Sequence, residues 1–440
     1  MPPERAHLRR GPNSTSSSST TCSMISDPGE IELREQLERD KIVAMYDRGP
    51  DNPHIANWER SEWEGFKRTD RFGFVQRDNF VFAQETPKRK SQDVMPLSVS
   101  SFSLVKWKNW FGKACQTNSE FAYGRSCSIS MLSRLHTGKE SELLARARLI
   151  SKHVKQIDLD VGRTYRHHAA FRRRYDVKQQ SLFNLLVAYS VFNTEIGYCQ
   201  GMSQIGALLL MFLDEEDAFW CLHSLMISPR HTMHGFFVTG FPKLQRFESH
   251  FRKILKHYKP KVYDALEKEA IPYFFVTKWW FGCFLDRVPF PLALRIWDVY
   301  ILYGDEVLMG MALNIMDMHE KTIRNLSLEK FMEFVQSGLA NDFGFTDDEA
   351  IQSLRNIVYK LKKDRKNRPA PPEKEEPLEP LGAVLEETMM DIHERVHEVR
   401  LRQAPDSCSS NEANDLDESK EQIIVPDRCC GDGFRERLIV

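Results

Sequence analysis

No apolar run in the 440-residue chain is long enough to cross a bilayer. The longest, around residues 205–213, falls well short of the ~20 residues that a spanning helix needs. Charge of one sign is missing too. A formal net charge of −1 gives no electrostatic ground for nucleic acid as the main partner. The nine cysteines follow no repeating spacing and include no CxxC, so neither a zinc site nor a redox motif is indicated. Cys199 and Cys221 fall in apolar helical contexts that suit reduced, buried thiols. The first residues carry Pro and Arg and run into Ser and Thr without an apolar core segment, unlike a secretory signal. The expected location is the cytoplasm. A sustained two-residue alternation is also absent, so the expected class is all-α.

What is present is a long helical stretch between polar ends. Residues 1–23 finish in a Ser/Thr tract that cannot bury a core and is expected to be disordered. Residues 24–80 open with an amphipathic helix over 30–46, stopped by Gly49-Pro50. Trp58, Trp63, Phe66, Phe72 and Phe74 follow, too many aromatics for a free linker. They are expected to brace a surface of the main domain. Residues 81–140 show little pattern beyond a basic triplet, a serine-rich run and one helix candidate near Trp107 and Trp110. From 141 to 362 the helical period is continuous, with helices expected at 142–150, 179–192, 202–213, 218–226, 241–257, 262–269, 274–285, 307–319, 328–339 and 347–361, and another after Pro289-Phe290-Pro291. Residues 363–440 turn rich in Pro and charge and are expected to be largely disordered, apart from one candidate amphipathic helix at 381–401.

Two short pieces stand out within 156–237. In Ile157-Asp158-Leu159-Asp160-Val161-Gly162-Arg163 an acid precedes an arginine by three positions, which on a helix lets the Asp160 carboxylate aim the Arg163 guanidinium. In Gly197-Tyr198-Cys199-Gln200-Gly201-Met202-Ser203 a carboxamide sits where a loop enters an apolar helix. Taken alone, Arg163 also reads as a solvated charge in a run with Arg166, Arg172, Arg173 and Arg174. Gln200 also reads as a helix-capping amide, and Tyr198 as a core aromatic.

Together, Ile157-x-x-Asp160-x-x-Arg163 and Tyr198-x-Gln200 resemble the two signature motifs of the Tre-2/Bub2/Cdc16 (TBC) domain of Rab GTPase-activating proteins. The blocks Gln179-Gln180-Ser181-Leu182-Phe183, Ala188-Tyr189-Ser190, Asn193-Thr194-Glu195-Ile196-Gly197, His234-Gly235-Phe236-Phe237 and Arg295-Ile296-Trp297-Asp298 look most like the RN-tre branch. So do Tyr46-Asp47-Arg48-Gly49 and Thr69-Asp70-Arg71-Phe72-Gly73-Phe74 ahead of the domain. The resemblance implies a multi-helix TBC domain acting on a Rab-family GTPase, with Arg163 as an arginine finger and Gln200 replacing the GTPase's own glutamine. Asp160 and Tyr198 would support them, and Arg173 and Arg174 would form a basic rim toward the partner. It implies no metal or cofactor of this chain's own, since GTP and Mg²⁺ come with the GTPase. Membrane association, at endosomes or the Golgi, would then run through that partner. The Gly-[Ile/Val]-Pro turn, Leu-Arg pair and buried Trp of the family's opening helices do not occur in 81–140, which leaves an inactive Rab-binding scaffold as the alternative. A metallohydrolase built on His167, His168, His231 and His234 is a further class, lacking a zincin-spaced Glu or a third ligand.

Overall fold

The structure is a computed structural model that describes residues 28–51, 53, 55, 69–70, 72–75, 139–374 and 377–402. Much of the expected aromatic brace (Trp58, Trp63, Phe66) and nearly all of 81–140 lie outside the described residues. Among the described residues the secondary structure is helical, with extended pairing confined to two isolated bridges, Thr69–Val75 and Phe74–His168. No helix among them is long and apolar enough to cross a membrane.

The longer helices, in chain order, are α1 (Pro28–Arg48), α2 (Lys139–Ile150), α3 (Val154–Arg163), α4 (Val177–Phe192), α5 (Met202–Phe212), α6 (Glu215–Ile227), α7 (Pro242–Tyr258), α8 (Pro260–Lys268), α9 (Phe275–Phe281), α10 (Phe290–Tyr303), α11 (Asp305–Met318), α12 (Asp347–Lys363) and α13 (Met389–Leu401). Most boundaries fall within a residue or two of those the hydrophobic period predicts. α4 is apolar nearly all round, and a helix of that kind must be enclosed on every side. Leu182 through Ser190 apart from Asn184 are buried, and α2, α3, α5 and α6 pack about α4. α11 plays the same part in the second half, with Asp305 through Met316 buried between α7, α10 and α12.

The described segments ahead of residue 139 pack on this body. Tyr46 of α1 is buried and stacks on Phe183 of α4, ring centroids 3.8 Å apart. Phe72 and Phe74 pack edge-on against Phe290, while Val75 N donates to His167 O at 2.8 Å. For residues 72–75, then, the bracing role expected of the aromatic segment is observed.

Three expectations are corrected. The helix expected over 274–285 ends at Phe281, because Cys283, Phe284 and Asp286 take left-handed backbone at φ 46°, 66° and 57°. Such a conformation costs roughly 1–2 kcal/mol per residue. Fully burying Phe284 and Leu285 offsets it, each side chain contributing about 1.5–3 kcal/mol. Phe274, expected in the core, is 57% exposed. The helix expected over 328–339 is α-helical only to Glu333 and then widens into a π-helical turn, Phe334–Gly338.

The third correction concerns the tail expected to be disordered from residue 363. Its described residues from 377 to 402 pack on the helical body. Gly382 N donates to Phe192 O at 2.8 Å, Arg146 donates to the carbonyls of Val384 and Glu387, and α13 lies on α1 and α2. Ile392, Val396 and Val399 recur at helical spacing on its buried face, and Arg400 forks both Asp40 oxygens at 2.8 and 2.9 Å. A Thr388/Asp391 capping box starts this helix, seven residues later than the hydrophobic pattern alone suggests.

Candidate active site at the α3 terminus and the α5 entry loop

Ile157 and Val161 point into the core, and Leu159 and Arg163 point out. Asp160 lies on the boundary. Its carboxylate is 1% exposed and lies 2.5 Å from Nη2 of Arg163, whose side chain is 54% exposed. Both carboxylate oxygens are occupied: Oδ1 also accepts from Gln156 Nε2 at 3.1 Å, and Oδ2 accepts from the Tyr198 hydroxyl at 2.7 Å. Burial, reinforced by the hydrogen bond to Asp160, holds the Tyr198 phenol well above its ordinary pKa. It is therefore a neutral donor, anchoring one end of the loop to the carboxylate that aims the arginine.

A second stitch lies just beyond. The hydroxyls of Thr164, which ends α3, and Ser203, in the first turn of α5, are 3.0 Å apart. Tyr198–Asp160 and Thr164–Ser203 thus tie residues 198–203 to the α3 terminus on either side of Gln200. Gln200 itself is exposed and makes no hydrogen bond among the described residues. The capping reading of its amide finds no support, since α5 is entered through Gly201 at φ 106° with no side-chain cap. Gly201 supplies the left-handed turn that L side chains rarely adopt. At Gly197 (φ 60°) the constraint is doubled, because a Cβ there would collide with the His153 ring.

Two of the sequence blocks, 193–197 and 234–237, meet next to this loop. Glu195 lies 3.2 Å from His234 Nε2, linking the 193–197 and 234–237 segments, and also accepts from Leu378 N at 3.0 Å in the returning C-terminal segment. Asn193 accepts from Ile196 N and Gly197 N and fixes the loop's start.

The two arginines expected in the basic rim part company. Arg173 is exposed and pairs with Asp51 at 2.7 Å. Arg174 is 7% exposed, and its guanidinium bonds Asp158 at 2.6 Å, Tyr46 at 3.1 Å and Gln179 at 3.4 Å, 4.0 Å from the Tyr175 ring centroid. It is an internal tie between α1, α3 and α4, not a partner-facing charge. Sequence reasoning missed it because Asp158 and Tyr46 are distant along the chain, although the apolar setting of Tyr46 in an otherwise polar helix was a signal. Leu159, 55% exposed one turn before Arg163, was also missed as a contact candidate.

The histidines weighed as metal ligands are not brought together. His168 Nε2 meets Phe72 O at 2.8 Å, His231 Nε2 meets Tyr300 O at 3.2 Å, and His234 meets Glu195. No cluster of three or more His, Cys, Asp or Glu among the described residues could hold a metal ion.

With this geometry in view, the likenesses to known proteins are as follows. Residues 128–324 match the family described as RabGAP-TBC, the Rab-GTPase-TBC domain. A human relative, the ecotropic viral integration site 5 protein homolog, is 29% identical over 227 residues, which is 51% of this chain and 27% of that protein. This chain thus spans about a quarter of that relative's length. The crystal structure of the Ypt/Rab-GAP domain of Gyp1p matches at 15% identity with a TM-score of 0.48, covering 59% of this chain and 88% of that one. The Chlamydomonas flagellar RabGAP TBC domain matches at 15% identity with a TM-score of 0.43, covering 58% and 92%. The matched segment contains both signature motifs, Asp160-x-x-Arg163 and Tyr198-x-Gln200, so that residues 128–324 of this chain are similar to a Rab-GTPase-TBC domain.

Proposed function

We propose that this protein accelerates GTP hydrolysis on a Rab-family GTPase by inserting Arg163 and Gln200 into the partner's nucleotide site. Hydrolysis by a small GTPase is slow because charge accumulating on the phosphate oxygens is poorly compensated and the attacking water is poorly held. A guanidinium delivered in trans answers the first problem, and a carboxamide, at once donor and acceptor, answers the second. GTP and Mg²⁺ come bound to the partner.

The observation that supports this reading is the shared Asp160 carboxylate. It holds Arg163 directly and the Gln200 loop through Tyr198, while the tips of both Arg163 and Gln200 remain exposed. Leu159, one turn before Arg163 on α3, and the exposed Arg173 offer apolar and cationic contacts to the partner. The blocks quoted from the sequence further suggest the RN-tre branch, and peripheral membrane association through the GTPase follows from the same reading.

The second reading is a TBC-shaped, Rab-binding scaffold without activity, and it rests on the missing opening pattern in 81–140. Hydrolysis measured across a panel of GTP-loaded Rab proteins separates the two. The catalytic reading expects at least one Rab to be accelerated by roughly 10³–10⁵-fold. Binding to a Rab with no acceleration on any member would favour the scaffold.

A further inference from the structure

A second surface, sharing no residue with the α3–α5 site, gathers positive charge from two runs about a hundred positions apart. Residues 249–263 contain Arg252, Lys253, Lys256, Lys259 and Lys261 and no acid. Residues 355–368 contain seven Lys or Arg and one acid, Asp364. The fold joins them at Tyr258, at the end of α7. Lys360 Nζ and Lys366 Nζ lie 4.8 and 5.4 Å from its ring centroid, and its hydroxyl donates to Asp364. His250 Nε2 meets Lys366 O at 2.8 Å, and Lys253 lies on the same face of α7, three positions on.

Some of these cations are neutralised locally: Arg252 by Glu267, Lys259 by Asp317 and Glu320, and Lys362 by Glu306. Lys253, Lys256, Lys360, Lys363, Arg365 and Lys366 have no carboxylate at ion-pair distance among the described residues. Glu248, Asp264, Glu269, which pairs with Lys268, and Asp364, which accepts from Tyr258, are the other acids near these segments, fewer than the six cations without an ion pair. Because the whole chain carries −1, this is a segregation of charge and not a consequence of composition.

Exposed aromatic rings accompany the charge. Tyr359 is 72% exposed, one helical turn before Lys363. Tyr303 is 50% exposed, with Lys362 Nζ 5.1 Å from its ring and Arg368 donating to its carbonyl. Tyrosines flanked by Lys and Arg on a solvent-facing surface match the two layers of an anionic membrane, a negatively charged headgroup plane over an amphipathic boundary.

We propose that this face docks directly onto an anionic lipid surface, without help from a partner protein. The cations supply long-range attraction, and Tyr303 and Tyr359 settle at headgroup depth. Each Lys or Arg near such a surface strengthens partition by about five-fold.

The test is co-sedimentation of the full chain with phosphatidylcholine vesicles, with and without phosphatidylserine. Binding is expected only when phosphatidylserine is present, weakening as salt is raised. The combined variant Lys253→Gln, Lys363→Gln, Lys366→Gln is expected to lose on the order of 10²-fold in partition, and Lys363→Gln alone about five-fold. A matched control, Lys41→Gln, Lys152→Gln, Lys330→Gln, removes the same charge from exposed positions elsewhere and is expected to bind like the wild type. Unchanged melting temperatures exclude unfolding as the cause. Absence of binding to phosphatidylserine vesicles would overturn the proposal. So would equal binding to neutral vesicles, equal loss in both triple variants, or retention on duplex DNA or polyglutamate without retention on vesicles.

Discussion

The Tyr198 hydroxyl donates to Asp160 Oδ2 across 2.7 Å, joining the loop that carries Gln200 to the carboxylate that holds Arg163. The contact makes the two candidate fingers mechanically dependent on one buried anion. A displacement of ~1 Å in such a group costs about 10²-fold in rate.

Asp160→Asn therefore separates aiming from folding. The amide keeps the shape of the carboxylate and loses its charge, so Arg163 is released while the helix remains. The expected result is a drop of about 10²-fold in stimulated GTP hydrolysis with little change in Rab affinity. Tyr198→Phe removes one hydrogen bond and is expected to lower stability by about 1 kcal/mol and to reduce the rate less than Asp160→Asn. A full rate in Asp160→Asn would show that the carboxylate does not position the arginine.

Arg173 and Arg174 are adjacent in sequence and opposite in character. Arg174→Ala strands the Asp158 carboxylate, 13% exposed, and is expected to cost about 3–5 kcal/mol in thermal or denaturant unfolding. Arg173→Ala, at an exposed pair with Asp51, is expected to change stability by less than about 1 kcal/mol. Equal effects would contradict the assignment of Arg174 to the interior.

These two positions also show what the sequence could and could not reveal. The helices were legible because apolar residues recur at helical spacing, and the Asp160–Arg163 relation was legible because three residues separate its members. Arg174 was not, since the groups that bury it, Tyr46 and Asp158, come from other helices. Lys243 is a similar case, a cation within an amphipathic helix that the fold sinks to 1% exposure against Asp305 at 2.7 Å. The end of α9 at Phe281 escaped, although Gly282 follows it, because Phe284 and Leu285 prolong the apolar pattern into the left-handed turn. The helix within 381–401 was legible from its apolar spacing, but proline and charge concealed its docking, where backbone groups of 377–402 bond to α4 and its following loop and three aliphatic residues suffice to seat α13.

Acid should reveal His231. Burial pushes its imidazole down to about 3, so the folded chain resists the proton that the unfolded chain accepts. Between about pH 6.5 and 3 the unfolded state binds more protons, and stability falls as pH falls through that window, by at most roughly 1.4 kcal/mol per pH unit for this group. Above about pH 6.5 the group contributes no slope. Melting temperatures followed from neutral pH to pH ~4.5 are expected to fall more gently in His231→Gln than in the wild type. Parallel curves would contradict a neutral, buried His231.

Docking of α13 predicts that Ile392→Ala, at a fully buried position, costs about 2–5 kcal/mol and opens residues 377–402 to limited proteolysis. An unchanged melting curve and cleavage pattern would mean that this helix does not seat on α1 and α2 in solution.

Single-turnover hydrolysis of GTP on a responsive Rab, measured with wild type, Arg163→Ala and Gln200→Ala alongside Rab binding, tests the central claim most directly. Each substitution is predicted to abolish most of the acceleration, on the order of 10³-fold for Arg163→Ala, while the affinity for the GTP-bound Rab stays within a few-fold of wild type. Undiminished acceleration by Arg163→Ala would contradict the account.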